Sequence, residues 1–164
     1  MQEELNFKAN YELALHELQH AFVEKIALSI ETNPTFDFKV LPFRFEYSFF
    51  AILFTNKGNF KIIPAQASSG ENTFWIQLIK NFEETTKTIH LNSFIKNIYS
   101  EIAKESRYIF KIVFEFETAE LFLYCGEIYD TTNETLDYRV NDEMILVFHD
   151  KKEAQKFEDL VNCR

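Results

Sequence analysis

Along the first fifth of the chain, Tyr11, Ala14, Leu15, Leu18, Phe22, Ile26 and Ser29 fall on one stripe at helical spacing. The pattern predicts a long first helix over about residues 8–32. Asn33-Pro34 would end it, because the residue before a proline is pushed out of the α region. After Pro42 the period changes to two. Phe43, Phe45, Tyr47 and Phe49 alternate with Arg44, Glu46 and Ser48, the mark of a strand with one buried face. Asn56-Lys57-Gly58-Asn59 reads as a hairpin turn leading into a strand at about 60–65. A loop is expected around Ser68-Ser69-Gly70, followed by another alternating run from Thr73 to Phe82.

In the second half, Phe94, Ile95, Ile98, Tyr99 and Ile102 recur at helical spacing after Asn92 and Ser93, two good caps. A second helix is expected there, with residues 83–91 irregular or extended. Arg107 to Thr118 alternates most clearly, with Phe110, Ile112, Phe114 and Phe116 against Lys111, Val113, Glu115 and Glu117. Further strands are expected over about 120–129 and 143–149, separated by a polar loop at 130–142. Asp150 with Glu153 three residues on is a capping box for a last helix at 151–162. The predicted order is α-β-β-β-α-β-β-β-α. It implies an α+β fold with a mainly antiparallel sheet packed against helices, and two halves of like order.

No Gly-, Ser- or Pro-rich linker divides the chain, so residues 1–164 are expected to form a single domain. The longest apolar run, Phe49 to Phe54, is far short of the roughly 20 residues of a membrane helix. The acidic start, Met1-Gln2-Glu3-Glu4, precedes no apolar stretch of the kind found in signal peptides. Cys125 and Cys163 cannot make a disulfide framework and are expected to be reduced, as in a cytoplasm.

Charge narrows the choice of partner. The formal net charge is −9, and most of it is concentrated. Between residues 115 and 143, Glu115, Glu117, Glu120, Glu127, Asp130, Glu134, Asp137, Asp142 and Glu143 face Arg139 alone, a local −8. Such a field repels phosphate backbones and anionic lipid, so neither nucleic acid nor a membrane surface is an expected partner. It attracts basic proteins. Phe116, Phe122, Tyr124, Tyr129 and Tyr138 lie in the same stretch, and aromatic anchors ringed by acids suit tight protein binding. The candidate partner-binding residues are therefore Glu115, Glu117, Glu120, Phe122, Tyr124, Glu127, Tyr129, Asp130, Asp137 and Tyr138.

One catalytic motif is present. His16-Glu17-Leu18-Gln19-His20 matches H-E-x-x-H on the first predicted helix. Histidines four apart on a helix can grip one zinc ion while the glutamate activates a bound water. The motif resembles that of the zincin metallopeptidases over these five residues. The resemblance implies His16 and His20 as zinc ligands and Glu17 as general base. Val23 and Ile26 stand where the extended metzincin pattern has Gly and His, so no third ligand is marked. No glycine-rich phosphate loop and no C-x-x-C occurs. Cys125, with His90 and His149, lies near predicted strand ends, where a Cys–His pair is conceivable.

Two functions follow as expectations. The preferred one is a non-catalytic module that engages a basic protein. In size, acidity and element order the chain is similar to bacterial immunity proteins that neutralise a toxin. It is also similar to acidic secretion chaperones with an α-β-β-β-α-β-β-α layout. Neither likeness rests on a motif. The alternative is a zinc-dependent hydrolase using His16, Glu17 and His20. The outer face of the first helix, with Leu13 and Val23, is also a candidate homodimer contact.

Overall fold

A computed structural model describes residues 2–29, 43–81, 86–125 and 144–162. Helix α1 spans Gln2–Leu18 and strand β1 spans Phe22–Ser29. Five strands follow: β2 Glu46–Ser48, β3 Ala51–Thr55, β4 Gly58–Gln66, β5 Asn72–Ile79 and the long β6 Thr86–Ile102. Then come β7 Ile109–Phe116, β8 Glu120–Cys125, β9 Ile145–Phe148 and helix α2 Lys151–Asn162. All nine strands belong to one antiparallel sheet, in the order β2-β9-β8-β7-β6-β1-β3-β4-β5.

Two of the three expected helices need correction. The first does not run from 8 to 32: it begins at Gln2 and stops at Leu18. His20 takes a left-handed φ of 62°, which no helix continues through. Phe22 is then fixed as a strand residue by Asn56 in the β3–β4 turn. The Asn56 side-chain carbonyl accepts from the Phe22 amide at 3.0 Å, and the Asn56 backbone amide donates to the Phe22 carbonyl at 3.1 Å. The expected middle helix is absent, because residues 92–102 are the second half of β6. Among the described residues the order is thus one helix, nine strands and one helix, and the halves do not repeat.

β6 explains the architecture. Its first part, Thr86 to Phe94, pairs with β1; its second, Ile95 to Ile102, pairs with β7 on the opposite edge. Asn92, with φ at 46°, lies just before the handover. The two half-sheets joined there fold face to face around a common core. Leu53, Phe60, Ile62, Phe74 and Ile76 come from one half, and Ile112, Phe114, Leu121, Leu123 and Val147 from the other. The Thr73 hydroxyl on β5 donates to the Ile109 carbonyl on β7 at 2.8 Å, tying the halves directly. Tyr11, Leu15 and Leu18 of α1 add to the same core. Each fully buried side chain of this size contributes about 1.5–3 kcal/mol by leaving water.

α2 covers part of the outer face of the second half. It forms as expected: Asp150 accepts from the Lys152 amide at 2.7 Å as the N-cap. Glu153 departs from the capping box, accepting instead from the Arg44 amide at 2.8 Å. Ala154 and Phe157 pack over Val113, Phe122, Tyr124, Leu146 and Phe148. The Tyr124 and Phe157 rings meet edge-on at 4.6 Å.

The alternating run after Pro42 is broken between the two halves. β2 pairs with β9, and β3, two residues later, pairs with β1 and β4. The crossing is held by the buried Ser48 hydroxyl, which accepts from the Ser29 amide at 2.8 Å and donates to the Phe50 carbonyl at 2.5 Å. The expected turn at 56–59 is present. Gly58 adopts φ 122°, and a Cβ there would meet Leu78 at 2.8 Å. Among the described residues no helix is long and apolar enough to cross a membrane.

Candidate functional site

The helical premise of the His16-Glu17-x-x-His20 motif is not met. His16 lies in the last turn of α1, the helix ends two residues later, and His20 follows in a left-handed conformation. Residues four apart share a face only while the helix continues, so the spacing no longer aligns the two imidazoles. Both histidines and Glu17 are exposed, and the Gln19 carbonyl accepts from Lys57 Nζ at 3.0 Å. Among the described residues no group of three His, Cys, Asp or Glu side chains gathers as a metal site.

Cys125 is buried on β8, with its Sγ 3.6 Å from the Phe110 carbonyl. Burial pushes its thiol far up from the ordinary range, the reverse of what a nucleophile needs. His90 and His149 are both exposed. Although the residue as a whole is exposed, partial desolvation of its ring lowers the pKa of His149, with nearby Glu46 opposing the shift.

The acidic stretch yields a more definite geometry. Cross-strand partners share a face, and on the outer face of the second half-sheet three rungs run across β6, β7 and β8. Asn97, Glu115 and Glu120 form the first; Tyr99, Val113 and Phe122 the second; Glu101, Lys111 and Tyr124 the third. The two carboxylates of the first rung are direct neighbours, an arrangement that costs stability unless a cation joins them. Asn97 Nδ2 donates to Glu115 at 3.3 Å, and no described side chain engages Glu120. Glu117 projects from the β7–β8 turn, where its amide donates to the Ser93 hydroxyl at 3.3 Å.

α2 covers only the β8–β9 side of this face. Glu158 on α2 accepts from the Tyr124 hydroxyl at 2.8 Å and from Lys111 Nζ at 2.5 Å. Burial, followed by this carboxylate, raises the pKa of Tyr124 beyond its ordinary range. On the β6 side the face is open, as a groove of about 520 Å³ lined by Tyr99, Glu101, Lys111, Glu115, Glu120 and Lys151. A neighbouring groove of about 500 Å³ runs past Lys96, Glu117, His149 and Asp150.

The expected partner-binding residues therefore separate. Glu115, Glu117 and Glu120 stand together at one end of the groove. Phe122 and Tyr124 are largely buried and pack with Phe157 of α2 in the outer core, although Phe122 still lines the floor of the groove. Glu127, Tyr129, Asp130, Asp137 and Tyr138 lie outside the described residues. The sequence reading missed Asn97, Tyr99 and Glu101, whose alternation was there to be seen but was read as helix. Tyr99 is 52% exposed and lines the groove together with Phe122.

No protein-family model, curated protein or solved structure matches the chain. The functional reading therefore rests on the site alone.

Proposed function

We propose that the chain is a non-catalytic binding module for a basic protein, acting as an inhibitor in the manner of an immunity protein. One observation carries the reading. Glu101, Glu115 and Glu120 surround the exposed Tyr99 in an open groove. Of its two lysines, Lys111 is held by Glu158 and also lies 3.6 Å from Glu101, and Lys151 stands at the rim. Glu115 and Glu120 are therefore the carboxylates left for a partner. Cations delivered by a partner would relieve the opposed Glu115 and Glu120, and an arginine would also stack on Tyr99. The local net of −8 over residues 115–143 would speed encounter with such a protein. Of the two likenesses, the immunity type is kept because it rests on acidity. The secretion-chaperone layout requires a middle helix, and that position is β6. A reducing, cytoplasmic setting belongs to the same reading.

The test compares the wild-type chain with a Glu115→Lys/Glu120→Lys variant as baits in host lysate, both verified as folded by circular dichroism. A basic partner should be retained by the wild type, released as salt rises, and not captured by the variant. Equal capture by both chains places the interface elsewhere. Capture that survives high salt removes the electrostatic basis.

A further inference from the structure

The described sheet ends at β2 and at β5. A third one-sided stretch is the second part of β6, and a fourth is the side of residues 86–94 that faces away from β1. They are not alike. β2 is three residues long, too short to template another strand. β5 is covered by α1, whose Asn10 side chain donates to the Ile76 carbonyl at 2.9 Å and accepts from the Ile76 amide at 2.8 Å. The third stretch is the second part of β6. β1 leaves it at Phe94, and the Ile95 amide makes one last bond to the Ala21 carbonyl at 2.9 Å. Beyond that point, residues 96–102 pair with β7 on one side and with no described strand on the other. Ile98 apart, all of these side chains are exposed. Tyr99 is 52% and Ile102 51% exposed, and Phe94 at the start of the edge is 51% exposed. Long edges bearing apolar side chains are normally blunted in soluble proteins, because they recruit other strands.

We propose that residues 96–102 of β6 receive an extended basic segment of the partner by strand addition. This inference rests on the acidic-face reading and names how that face is engaged. An added strand becomes the next member of the three rungs, directly beside Asn97, Tyr99 and Glu101. Its outward side chains then lie against Glu101, which already pairs with Lys111 at 3.6 Å, and within reach of Glu115, so cationic residues at alternate positions fit. Residues facing inward meet the apolar margin formed by Ile98. Main-chain hydrogen bonds supply affinity, and the alternate side chains supply selectivity. A second copy of the chain is the poorer occupant. Two molecules each of net charge −9 would repel as they approach.

The probe is a labelled peptide of alternating arginine and valine, about ten residues long, read by fluorescence anisotropy and hydrogen exchange. Two derivatives carry N-methyl groups on every arginine amide or on every valine amide. Strand addition predicts that at least one derivative binds more than about tenfold more weakly, because main-chain donors carry the contact. It also predicts new exchange protection within 96–102, and no binding by the same peptide with glutamate in place of arginine. Binding that ignores N-methylation but is lost in Glu115→Lys/Glu120→Lys overturns strand addition and leaves the acidic-face reading standing. Binding insensitive to both changes, or no binding at all, overturns the inference. So does a peptide-free dimer with residues 96–102 protected, which assigns the edge to a second copy.

Discussion

Asn10 gives the fold its sharpest stability prediction. Its side-chain amide imitates a strand residue, donating to the carbonyl and accepting from the amide of Ile76 on the outer edge of β5. Asn10→Ala removes both bonds and leaves two main-chain groups facing the underside of a helix. Losing a hydrogen bond costs about 0.5–1.5 kcal/mol net, and more when the abandoned group stays dry. Both bonds are part-buried, so water replaces some of what is lost, and the gross cost is about 2–3 kcal/mol. Alanine is the better helix former by roughly 0.6 kcal/mol, which offsets part of it. The expected net loss is about 2 kcal/mol, equivalent to a Tm lower by roughly 4–8 °C for a chain of this length. Urea denaturation followed by circular dichroism measures it directly. Asn6→Ala, at an exposed site on the same helix bonded only to Gln2, is the control and should stay within about 0.5 kcal/mol. Asn10→Asp keeps the acceptor for the Ile76 amide and should fall between the two. If Asn10→Ala is as stable as the wild type with an unchanged denaturant slope, the helix does not hold that edge.

Tyr124→Phe should lose about 1.5–3 kcal/mol, because its hydroxyl donates to the charged Glu158; equilibrium unfolding that matches the wild type would show that bond to be idle. The raised pKa values of Tyr11, Tyr108, Tyr124 and Cys125 all favour the protonated form in the folded state. Their contribution is intact below the unfolded values near 9 to 10 and is lost as pH rises above them. Denaturation midpoints should therefore fall above about pH 9. His149 works in the opposite sense: its lowered pKa adds stability above about 6.5 that disappears as pH falls. His149→Gln should flatten the loss between pH 7 and 5, and an unaltered slope would remove His149 from the account. In a Cys163→Ser background, Cys125 should resist a thiol reagent until the protein is unfolded, because it is buried and held protonated. Labelling at the native rate of an exposed thiol would contradict that.

The elements read correctly from sequence are those in which local and tertiary demands agree. The Asn56–Gly58 turn, the alternating β7 and the Asp150-capped α2 are of this kind. Both failures fall on strands that carry a bulge. β1 carries a bulge between Val23 and Lys25, and β6 carries one between Ile95 and Asn97. A bulge inserts an extra residue and shifts which side chains face inward. Val23 and Ile26 thus both reach the inner core, as do Ile95 and Ile98, three residues apart in each case. Leu91 and Ile95, on the same side, are four apart, with the left-handed Asn92 between them. Spacings of three and four are the helical signature, so the irregular β6 imitated a helix; in β1 the misleading pair was Phe22 and Ile26, four apart, while the buried Val23 was assigned to the outer face. Composition offered a countersignal: Thr86, Thr88, Ile89, Ile95, Ile98 and Tyr99 favour strands. At the candidate site, the charges of Glu115, Glu117 and Glu120 were legible. Their true neighbours on β6 were not, because the rung partners depend on register.

The Ser48 crossing imposes a timetable on folding. α1, β1, β3, β4 and β5 are close in sequence, and most of their pairings form locally. β2 sits between β1 and β3 in the chain, yet its described strand partner is β9, whose residues 145–148 are made about a hundred residues later. During synthesis, residues 46–48 must therefore wait beside a half-sheet that has already assembled. The Ser29 and Ser48 hydroxyls supply a small hydrogen-bonded clasp where they wait. A chain halted before residue 145 would expose the β8 edge and leave β2 without its partner, a form suited to capture by chaperones.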